Sequence, residues 1–248
     1  MRLNHLSKTE LLTFKKLKTI FIYMRTAPIA QGEYYHIFNR GNNKQRIFLD
    51  TRDWIRFLFL ILYLQSPVTF PQISRQVSSF VKNRAFDTEK DDIDEIIKER
   101  HVELVNFALM PNHFHLTVHE FKEGGIANYM QRVLCAYTKY FNTKYDKSGH
   151  LFQGPYKAVH VENNEQLLYL STYIHKNPKE LSEWKNRERL YPWSSYQDYT
   201  GENRWNKLLQ QNIILDQFSN KQEYGHFVKS SPAKELRENL SGDLLIDP

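Results

Sequence analysis

The chain has 248 residues, of which 41% are hydrophobic, enough for one sizeable core with appendages or for two small cores. Its net charge of +6 and its pI of about 9.2 favour a polyanionic partner. The one cysteine, Cys135, excludes an intramolecular disulfide framework and a cysteine-rich zinc site, which fits a reducing cytoplasm. No apolar stretch approaches the ~20 residues that cross a bilayer, so we expect no membrane segment.

Residues 1–32 form a basic N-terminal extension with six Lys or Arg residues and one acid, Glu10. Lysines interrupt its apolar runs, which are therefore too short for a secretory signal. Two interpretations stay open: the extension is an arm that grasps DNA, or it is untranslated and the natural chain starts at Met24. We favour Met24, because residues 1–23 carry neither a clear amphipathic stripe nor a motif.

The first predicted elements are a strand and a helix. Residues 34–39 alternate like a strand and end at a turn signal in residues 40–43. Residues 51–65 have helical periodicity, and Asp50 or Thr51 is a suitable N-cap.

Residues 67–100 are interpreted as an insertion. A helix-like patch ends near Arg84 and is followed by an acidic run from Asp87 to Glu99. Charge runs of this kind are usually solvated faces, so we assign the acidic run no catalytic role.

Two strands are predicted at 102–110 and 113–120, joined at Pro111 and Asn112. Asn112 is assigned to the turn, a common role for asparagine. His113 and His115 stand two residues apart on the second strand, so their side chains point to the same side of it. Two imidazoles on one side amount to half of a metal site.

A helix is predicted next, from an apolar stripe that begins at Ile126 and ends at Phe141. A strand-like segment follows at 157–161. We interpret the basic residues on the other side of this helix and in the loop after it as a phosphate-binding surface, with a plain solvated face as the open alternative. These residues are Arg132, Lys139, Lys144 and Lys147.

Tyr173 lies on a further predicted helix, which Asn163 or Asn164 can cap. Tyr173 and Asn177 are four residues apart and hence on one helical face. Pro178 disfavours the α conformation at Asn177, so we expect the helix to end there. Two histidines, a tyrosine and an amide suggest metal-assisted attack by tyrosine on a phosphodiester.

The order of these elements predicts an α+β domain over residues 33–180, with an antiparallel sheet and helices packed largely on one face. Residues 181–248 are expected to form a C-terminal tail that packs on the core. Periodicity alone does not choose a fold within this class.

Five sequence blocks occur together in a definite order: YYHIFNRG at 34–41, MPNHFHL at 110–116, GHLFQG at 149–154, YIHKNP at 173–178 and WSSY at 193–196. In these blocks the chain resembles the single-tyrosine HUH transposases, most closely the REP-associated tyrosine transposases. One departure is Pro155, where these proteins often carry a basic residue that contacts DNA. Lys157 is the nearest substitute.

The resemblance implies a ferredoxin-like (RRM-like) HUH endonuclease core and a divalent metal ion, Mg²⁺ or Mn²⁺. It implies that Tyr173 attacks single-stranded or hairpin DNA and forms a 5′-phosphotyrosine, while His113, His115 and Asn177 bind the metal. A tyrosine hydroxyl with a pKa of ~10 needs help to deprotonate, for which His175 and His119 are candidates. Candidate DNA contacts are Asn39, Arg40, Lys139, Gln153 and Lys157.

Several alternatives stay open. Asn39 and Arg40 are either turn residues or DNA contacts. The same two alternatives stay open for Gln153 and Lys157. The whole chain is either an active endonuclease and strand transferase or a domesticated protein that binds a hairpin without cutting it. A metal-dependent RNA-processing protein is a third hypothesis, disfavoured because the RNP aromatic signature is absent. We expect a monomer or homodimer in the bacterial cytoplasm, associated with the nucleoid and not with a membrane.

Overall fold

A computed structural model of the protein describes residues 29–231, so most of the predicted extension, including Met24, and the end of the predicted tail lie outside the described residues. The regular elements in chain order are β1 (Tyr34–Arg40), α1 (Thr51–Tyr63), α2 (Ile73–Asn83), α3 (Lys90–Glu99), β2 (Val102–Met110), β3 (His113–Glu120), α4 (Gly125–Tyr145), β4 (Lys157–Val161), α5 (Asn164–Lys176), α6 (Tyr196–Thr200), α7 (Asn212–Leu215) and α8 (Lys221–Ser230). Within this part of the chain, no helix is long and apolar enough to cross a membrane.

The four strands form one antiparallel sheet in the order β2-β3-β1-β4. With α1 between β1 and β2 and with α4 between β3 and β4, this is the βαββαβ arrangement of a ferredoxin-like domain. The predicted α+β fold class is confirmed. β3 is central, and His115 on it pairs with Phe38 of β1 on one side and with Ala108 of β2 on the other.

The alternation of side chains along β3 separates two unlike faces of the sheet. Phe114, Leu116 and Val118 point to one face and are fully buried there. Helices α1 and α4 cover this apolar face, where the Phe57 ring of α1 lies 5.1 Å from Phe114 and 5.0 Å from Tyr137 of α4. Helices were predicted to pack largely on one face of the sheet, and α1 and α4 do so on this apolar face.

The opposite face, which carries His113 and His115, is covered by α5. The ring of Tyr173 on α5 lies 5.5 Å from the ring of His115. Helix α5 also packs against α8, so that it is enclosed between the sheet and the C-terminal region. Because both of its sides are buried, α5 forms a further layer that the sequence pattern did not predict.

Helix α1 is fixed at its start by Asp50 and Asp53. The Asp50 side chain accepts from the backbone N–H of Asp53, and the Asp53 side chain accepts from the backbone N–H of Asp50, which forms a capping box. The buried Asp53 also accepts from Lys144 of α4 at 2.7 Å. Burial alone would lower the pKa of Lys144, but hydrogen bonds to Asp50, Asp53 and two tyrosines raise it well above its usual value. This ion pair joins α1 to α4.

The segment predicted as an insertion packs on the outer side of α1. Phe80 and Phe86 approach each other to 4.7 Å, and Phe86 lies 5.1 Å from Phe59 of α1. The acidic run, which was not predicted as a helix, contains α3. Ile96 of α3 is buried while the acidic residues of this helix face solvent. The acidic run is therefore the solvated side of an amphipathic helix.

The imidazole of His175 ties the C-terminal region to the sheet. His175 Nδ1 lies 2.6 Å from the Tyr224 hydroxyl of α8, and Nε2 lies 2.9 Å from Ser195 Oγ. Ser195 Oγ in turn accepts from the backbone N–H of Phe107 on β2 at 2.9 Å. Complete burial lowers the pKa of His175 to about 3, so the ring is neutral at physiological pH.

This burial predicts a dependence of stability on pH. The unfolded chain protonates His175 below its ordinary pKa of 6.5, whereas the folded chain does so only near 3. Stability is therefore present above pH 6.5 and is lost as the pH falls through that value. Against His175→Gln, the stability advantage of the wild type should shrink by about 2 kcal/mol between about pH 7 and pH 5. Urea unfolding at both pH values measures it, and a constant difference would contradict it.

Candidate active site

Three of the predicted site residues meet on the histidine face of the sheet. The rings of His113 and His115 lie 5.1 Å apart, nearly perpendicular to each other. Tyr173 approaches His115 edge-on from α5, with 5.5 Å between ring centroids. All three side chains are buried, and only 1% of Tyr173 is exposed. The predicted nucleophile and the predicted pair of metal ligands are thus neighbours.

Asn112 fixes the orientation of His113. The Asn112 Nδ2 group donates to the carbonyl oxygen of Lys44, which turns Oδ1 toward His113 Nδ1 at 2.7 Å. Nδ1 therefore carries the proton in the neutral ring, and the lone pair is on Nε2. The sequence assigned Asn112 only to the turn and missed this contact.

The loop after β1 supports Asn112 through its backbone. The N–H of Gly41 donates to the Asn112 carbonyl oxygen at 2.7 Å. A Cβ atom at Gly41 would lie 2.1 Å from the Gln45 carbonyl oxygen, so only glycine fits this close approach. This accounts for the glycine that ends the first sequence block.

His36 occupies the corresponding position beside His115. Its Nε2 lies 2.9 Å from His115 Nδ1, and both rings are fully buried and stacked at 5.1 Å. If His115 Nδ1 donates to His36, then the lone pair of the neutral His115 ring is on Nε2, as it is in His113. Sequence reasoning missed His36, although its place on β1, two residues before Phe38, was a usable signal once β1 and β3 were paired.

The metal ligands predicted for this site are two imidazoles and one carboxamide, that of Asn177. In residues 29–231, no three or more His, Cys, Asp or Glu side chains form a cluster able to hold a metal ion. Asn177 Nδ2 donates to the Tyr173 carbonyl oxygen at 3.0 Å, and an amide binds a metal ion through its oxygen. Nitrogen and amide-oxygen donors fit a weakly held divalent cation that also takes water or phosphate oxygens.

The end of α5 agrees with the predicted position but not with the predicted conformation. The helix ends at Lys176 and Asn177 is its C-cap, yet Asn177 has helical dihedral angles and starts a 3₁₀ turn through Glu180. Pro178 therefore ends the α-helix without forcing Asn177 to become extended, since a 3₁₀ turn continues the chain.

Neither histidine considered as a base lies free beside Tyr173. His175 is held by Tyr224 and Ser195, and its lowered pKa keeps it neutral. His119 bonds Glu103 Oε2 at 2.8 Å and stacks on Tyr34 at 4.5 Å. Strand β3 pairs with β1 in one continuous register from His113 to His119, without a bend. His119 therefore lies roughly 20 Å along the strand from His113. Direct coordination by His119 would have required such a bend.

Asn39, Arg40 and Gln153 are brought together at the end of β1. Arg40 Nε donates to Gln153 Oε1, and Asn39 Nδ2 donates to the Gly154 carbonyl oxygen at 3.1 Å. These hydrogen bonds join the end of β1 to the GHLFQG block beside the histidine face. Lys157 is exposed on β4 with its Nζ 6.0 Å from the centre of the Phe38 ring, and Phe38 pairs with His115.

The remaining predicted basic surface, on α4, does not meet this site. Lys139 is exposed, but α4 packs on the apolar face, across the sheet from the histidines. Arg132 donates to the carbonyl oxygens of Ser66 and Val68, and Lys144 is paired with Asp50 and Asp53. Arg132 and Lys144 thus hold loops and helices together, and the phosphate-binding interpretation of this surface stays a prediction.

Two further polar residues lie on the histidine face. Asn106 and Thr117 form a cross-strand pair next to Ala108 and His115, and both are fully buried. Neither the Asn106 amide nor the Thr117 hydroxyl has a hydrogen-bond partner among the described residues. Buried polar groups normally have partners, so this part of the face is suited to a polar ligand or water.

Comparison with known proteins agrees with this geometry. Residues 72–177, which include β2, β3 and α5, match the family described as "Transposase IS200 like". The family resemblance predicted from the sequence is thereby confirmed, and this region is similar to IS200-like transposases. No curated protein matches the chain.

Among solved structures, the chain is similar to one described as a REP-associated tyrosine transposase bound to a REP hairpin. The identity is 13% and the TM-score is 0.47, over 79% of this chain and 94% of the other.

The contact between Asn112 and His113 predicts one tautomer. In metal-free protein, neutral His113 should be protonated at Nδ1, and Asn112→Ala should mix the two tautomers because the acceptor is lost. Long-range ¹H–¹⁵N correlation on histidine-labelled protein measures this. His119, whose Nδ1 contacts Glu103 instead, is the internal control and should not change. Wild-type His113 protonated at Nε2 would refute the assignment.

Proposed function

We propose that the protein is a transposase-like enzyme that cleaves and rejoins single-stranded, hairpin-type DNA through a covalent 5′-phosphotyrosine at Tyr173. The observation that carries this proposal is the position of Tyr173 over His115, beside His113, within the region that matches IS200-like transposases. A tyrosine that only packs in the core does not require histidine neighbours, since a hydrocarbon ring would pack there as well.

In the proposed reaction the Tyr173 hydroxyl oxygen attacks phosphorus and the bond from phosphorus to the 3′ oxygen breaks. The tyrosine gives up its proton, and the departing 3′ oxygen takes one up and becomes a free hydroxyl. Attack by a strand hydroxyl on the phosphotyrosine reverses these changes. One phosphodiester is exchanged for another, so that no nucleotide cofactor is required.

The proposed cofactor is a divalent ion, Mg²⁺ or Mn²⁺, bound by His113, His115 and Asn177. When bound, it would act as a Lewis acid on the scissile phosphate. Asn112 and His36 orient the two imidazoles, the usual function of groups behind metal ligands. Arg40, Asn39, Gln153 and Lys157 are proposed to hold DNA at the end of β1 and β4, while Lys139 is too far from this face to share that role.

The burial of Tyr173 favours a second candidate function, a protein that binds hairpins without cutting them. With 1% of the side chain exposed, the hydroxyl is out of reach of a phosphodiester in this conformation. Cleavage therefore requires α5 to move from the sheet. The buried, unsatisfied Asn106 and Thr117 under α5 support such movement, because opening would give both groups hydrogen-bond partners.

A substitution of Tyr173 separates the two candidates. Tyr173→Phe should abolish the covalent adduct and leave hairpin affinity within a few fold, because only the nucleophilic oxygen is removed. The assay is denaturing electrophoresis after incubation with labelled hairpins from the protein's genomic neighbourhood. Tyr169→Phe, one helical turn earlier, is the matched control and should retain the adduct. A wild type that binds hairpins but forms no adduct supports the second candidate.

The metal prediction has two measurements. Combined His113→Ala and His115→Ala, or excess chelator, should abolish cleavage, and Mn²⁺ should restore at least as much activity as Mg²⁺. His36→Leu should weaken Mn²⁺ binding on the order of 10–100-fold, measured by electron paramagnetic resonance of free Mn²⁺. His119→Leu is the control and should bind Mn²⁺ like the wild type. Full cleavage in chelator would exclude the metal-dependent mechanism.

The remaining assignments belong to the same proposal. We propose a protein of the bacterial cytoplasm, associated with the nucleoid, that acts as a monomer or homodimer. The catalytic domain is proposed to span residues 33–180, with residues 181–248 as a tail that supports α5. The contact of His175 with Ser195 and Tyr224 is consistent with that division.

A further inference from the structure

Three aromatic rings form a continuous stack beside the sheet. Phe48, in the loop after β1, stacks on Trp54 of α1 with 4.2 Å between ring centroids. Trp54 stacks in turn on Trp193, where the centroids are 5.3 Å apart and the rings are 18° from parallel. Phe48 is fully buried, whereas Trp54 and Trp193 are only partly buried. The stack therefore runs from the core toward the surface.

Trp193 is the outer end of this stack. Within residues 29–231, Trp54 is the only aromatic ring that contacts the ring of Trp193, and no cation lies over it. Because Trp54 covers one face of the indole, the exposed part of Trp193 lies on its edge and its other face. Leu49, next to Phe48, and Leu190, three residues before Trp193, are 45% and 54% exposed. Exposed apolar groups of this kind are typical of a surface that binds a partner.

We propose that Trp54 and Trp193, the aromatic platform, bind unpaired bases of single-stranded DNA by stacking. Every base has a flat π face, and proteins that hold single strands commonly stack bases on aromatic side chains beside a positively charged surface. Lys44 and Arg46 supply this charge, since both are exposed in the loop that carries Phe48 and neither forms an ion pair with the described residues. The identity of the strand as DNA rests on the proposed function.

The inner end of the stack is attached to the turn between β2 and β3. The backbone N–H of Ile47, next to Phe48, donates to the carbonyl oxygen of Pro111 at 2.9 Å. Pro111 is followed by Asn112, whose side chain orients His113. The same turn therefore supports both the stack and a candidate metal ligand.

The outer end of the stack lies along β2. The backbone N–H of Leu109 donates to the Trp193 carbonyl oxygen at 2.8 Å, and Leu109 pairs with Phe114 on β3. Trp193 thus follows two strand spacings beyond Phe114, so that their backbones are roughly 10 Å apart. Phe114 directly follows His113. A single strand bound at the His113 end of the sheet would therefore pass close to the platform.

The test compares two oligonucleotides that differ only in their bases. One is a fluorescein-labelled oligothymidylate of about 12 nucleotides, and the other is an abasic strand with the same label and the same number of phosphates. Trp193→Leu keeps an apolar side chain but removes the π face. It should weaken binding of the oligothymidylate about tenfold and binding of the abasic strand less than about twofold, as measured by fluorescence anisotropy.

Salt dependence separates stacking from phosphate contact. Loss of a stacked base changes no phosphate contact, so Trp193→Leu should leave the slope of log affinity against log salt unchanged. Combined Lys44→Gln and Arg46→Gln should make this slope shallower by about 1.4, as expected for two lost contacts to a single strand. A shallower slope in Trp193→Leu would overturn the stacking assignment, and an unchanged slope in the double variant would overturn the assignment of its two cations.

Phe121→Leu is the matched control. Phe121 is 42% exposed and directly follows β3, at the end of the strand opposite to His113. Its loss should leave the affinity for oligothymidylate within about twofold of the wild type. Trp193→Phe retains a flat ring and should recover most of the affinity that Trp193→Leu loses.

The wild type keeps the proposal testable if Trp193→Leu does not fold. Unlabelled oligothymidylate should quench the tryptophan fluorescence of the wild type, whereas the unlabelled abasic strand should not, because only a base can stack on an indole. Equal quenching by the two strands would overturn the proposal. Equal losses of affinity for the two strands in folded Trp193→Leu, or unchanged affinity for both, would also overturn it and would leave the surface to a protein partner.

The adduct assay distinguishes this inference from the proposed function. If the wild type forms no adduct but Trp193→Leu loses affinity for oligothymidylate alone, the platform stands and cleavage fails. If the wild type forms adducts and Trp193→Leu keeps its affinity, only the platform fails.

Discussion

The central position of β3 is the constraint on which the remaining structure depends. Its register against β1 and β2 places Phe114, Leu116 and Val118 on the core side and His113, His115 and Thr117 on the other. A slip of one residue would exchange these two sets, leaving imidazoles in the apolar core. The packing of α1 and α4 on the apolar side thus fixes the position of the candidate ligands, and stability and chemistry depend on the same register.

The buried polar side chains on the histidine face of β3 require hydrogen-bond partners, and these come from outside this central strand. Asn112 in the turn and His36 on β1 contact the two imidazoles, while α5 shields them from solvent. Helix α5 is itself held by α8 and by the Ser195 segment through His175. The C-terminal region therefore acts on the site indirectly, by stabilising the helix that carries Tyr173. Each layer is needed because burial of an imidazole or hydroxyl without a partner costs free energy.

Local sequence patterns were sufficient to predict the strands and helices but not the side-chain contacts between them. Alternation predicted β2, β3 and β4 with their observed bounds, and a helical stripe with a capping residue predicted α1 and α5 within a few residues. The family resemblance predicted which residues to consider. It could not supply the contact of His36 with His115, because that contact depends on strand pairing over 79 positions. Nor could it show that Lys144 is an internal ion-pair partner, since an exposed and a paired lysine have the same sequence signature.

The same layering places a limit on the proposed chemistry. Tyr173 packs against His115 and His36, so the helix that carries this proposed nucleophile also closes the space that a phosphodiester would occupy. Opening α5 would cost the apolar contacts of Leu167, Leu170 and Ile174, which are buried. Solvation of Asn106 and Thr117, which have no hydrogen-bond partner among the described residues, would offset part of that cost. The remainder of the cost would have to come from contacts with the bound substrate, so the proposed chemistry requires that substrate binding and exposure of Tyr173 be coupled.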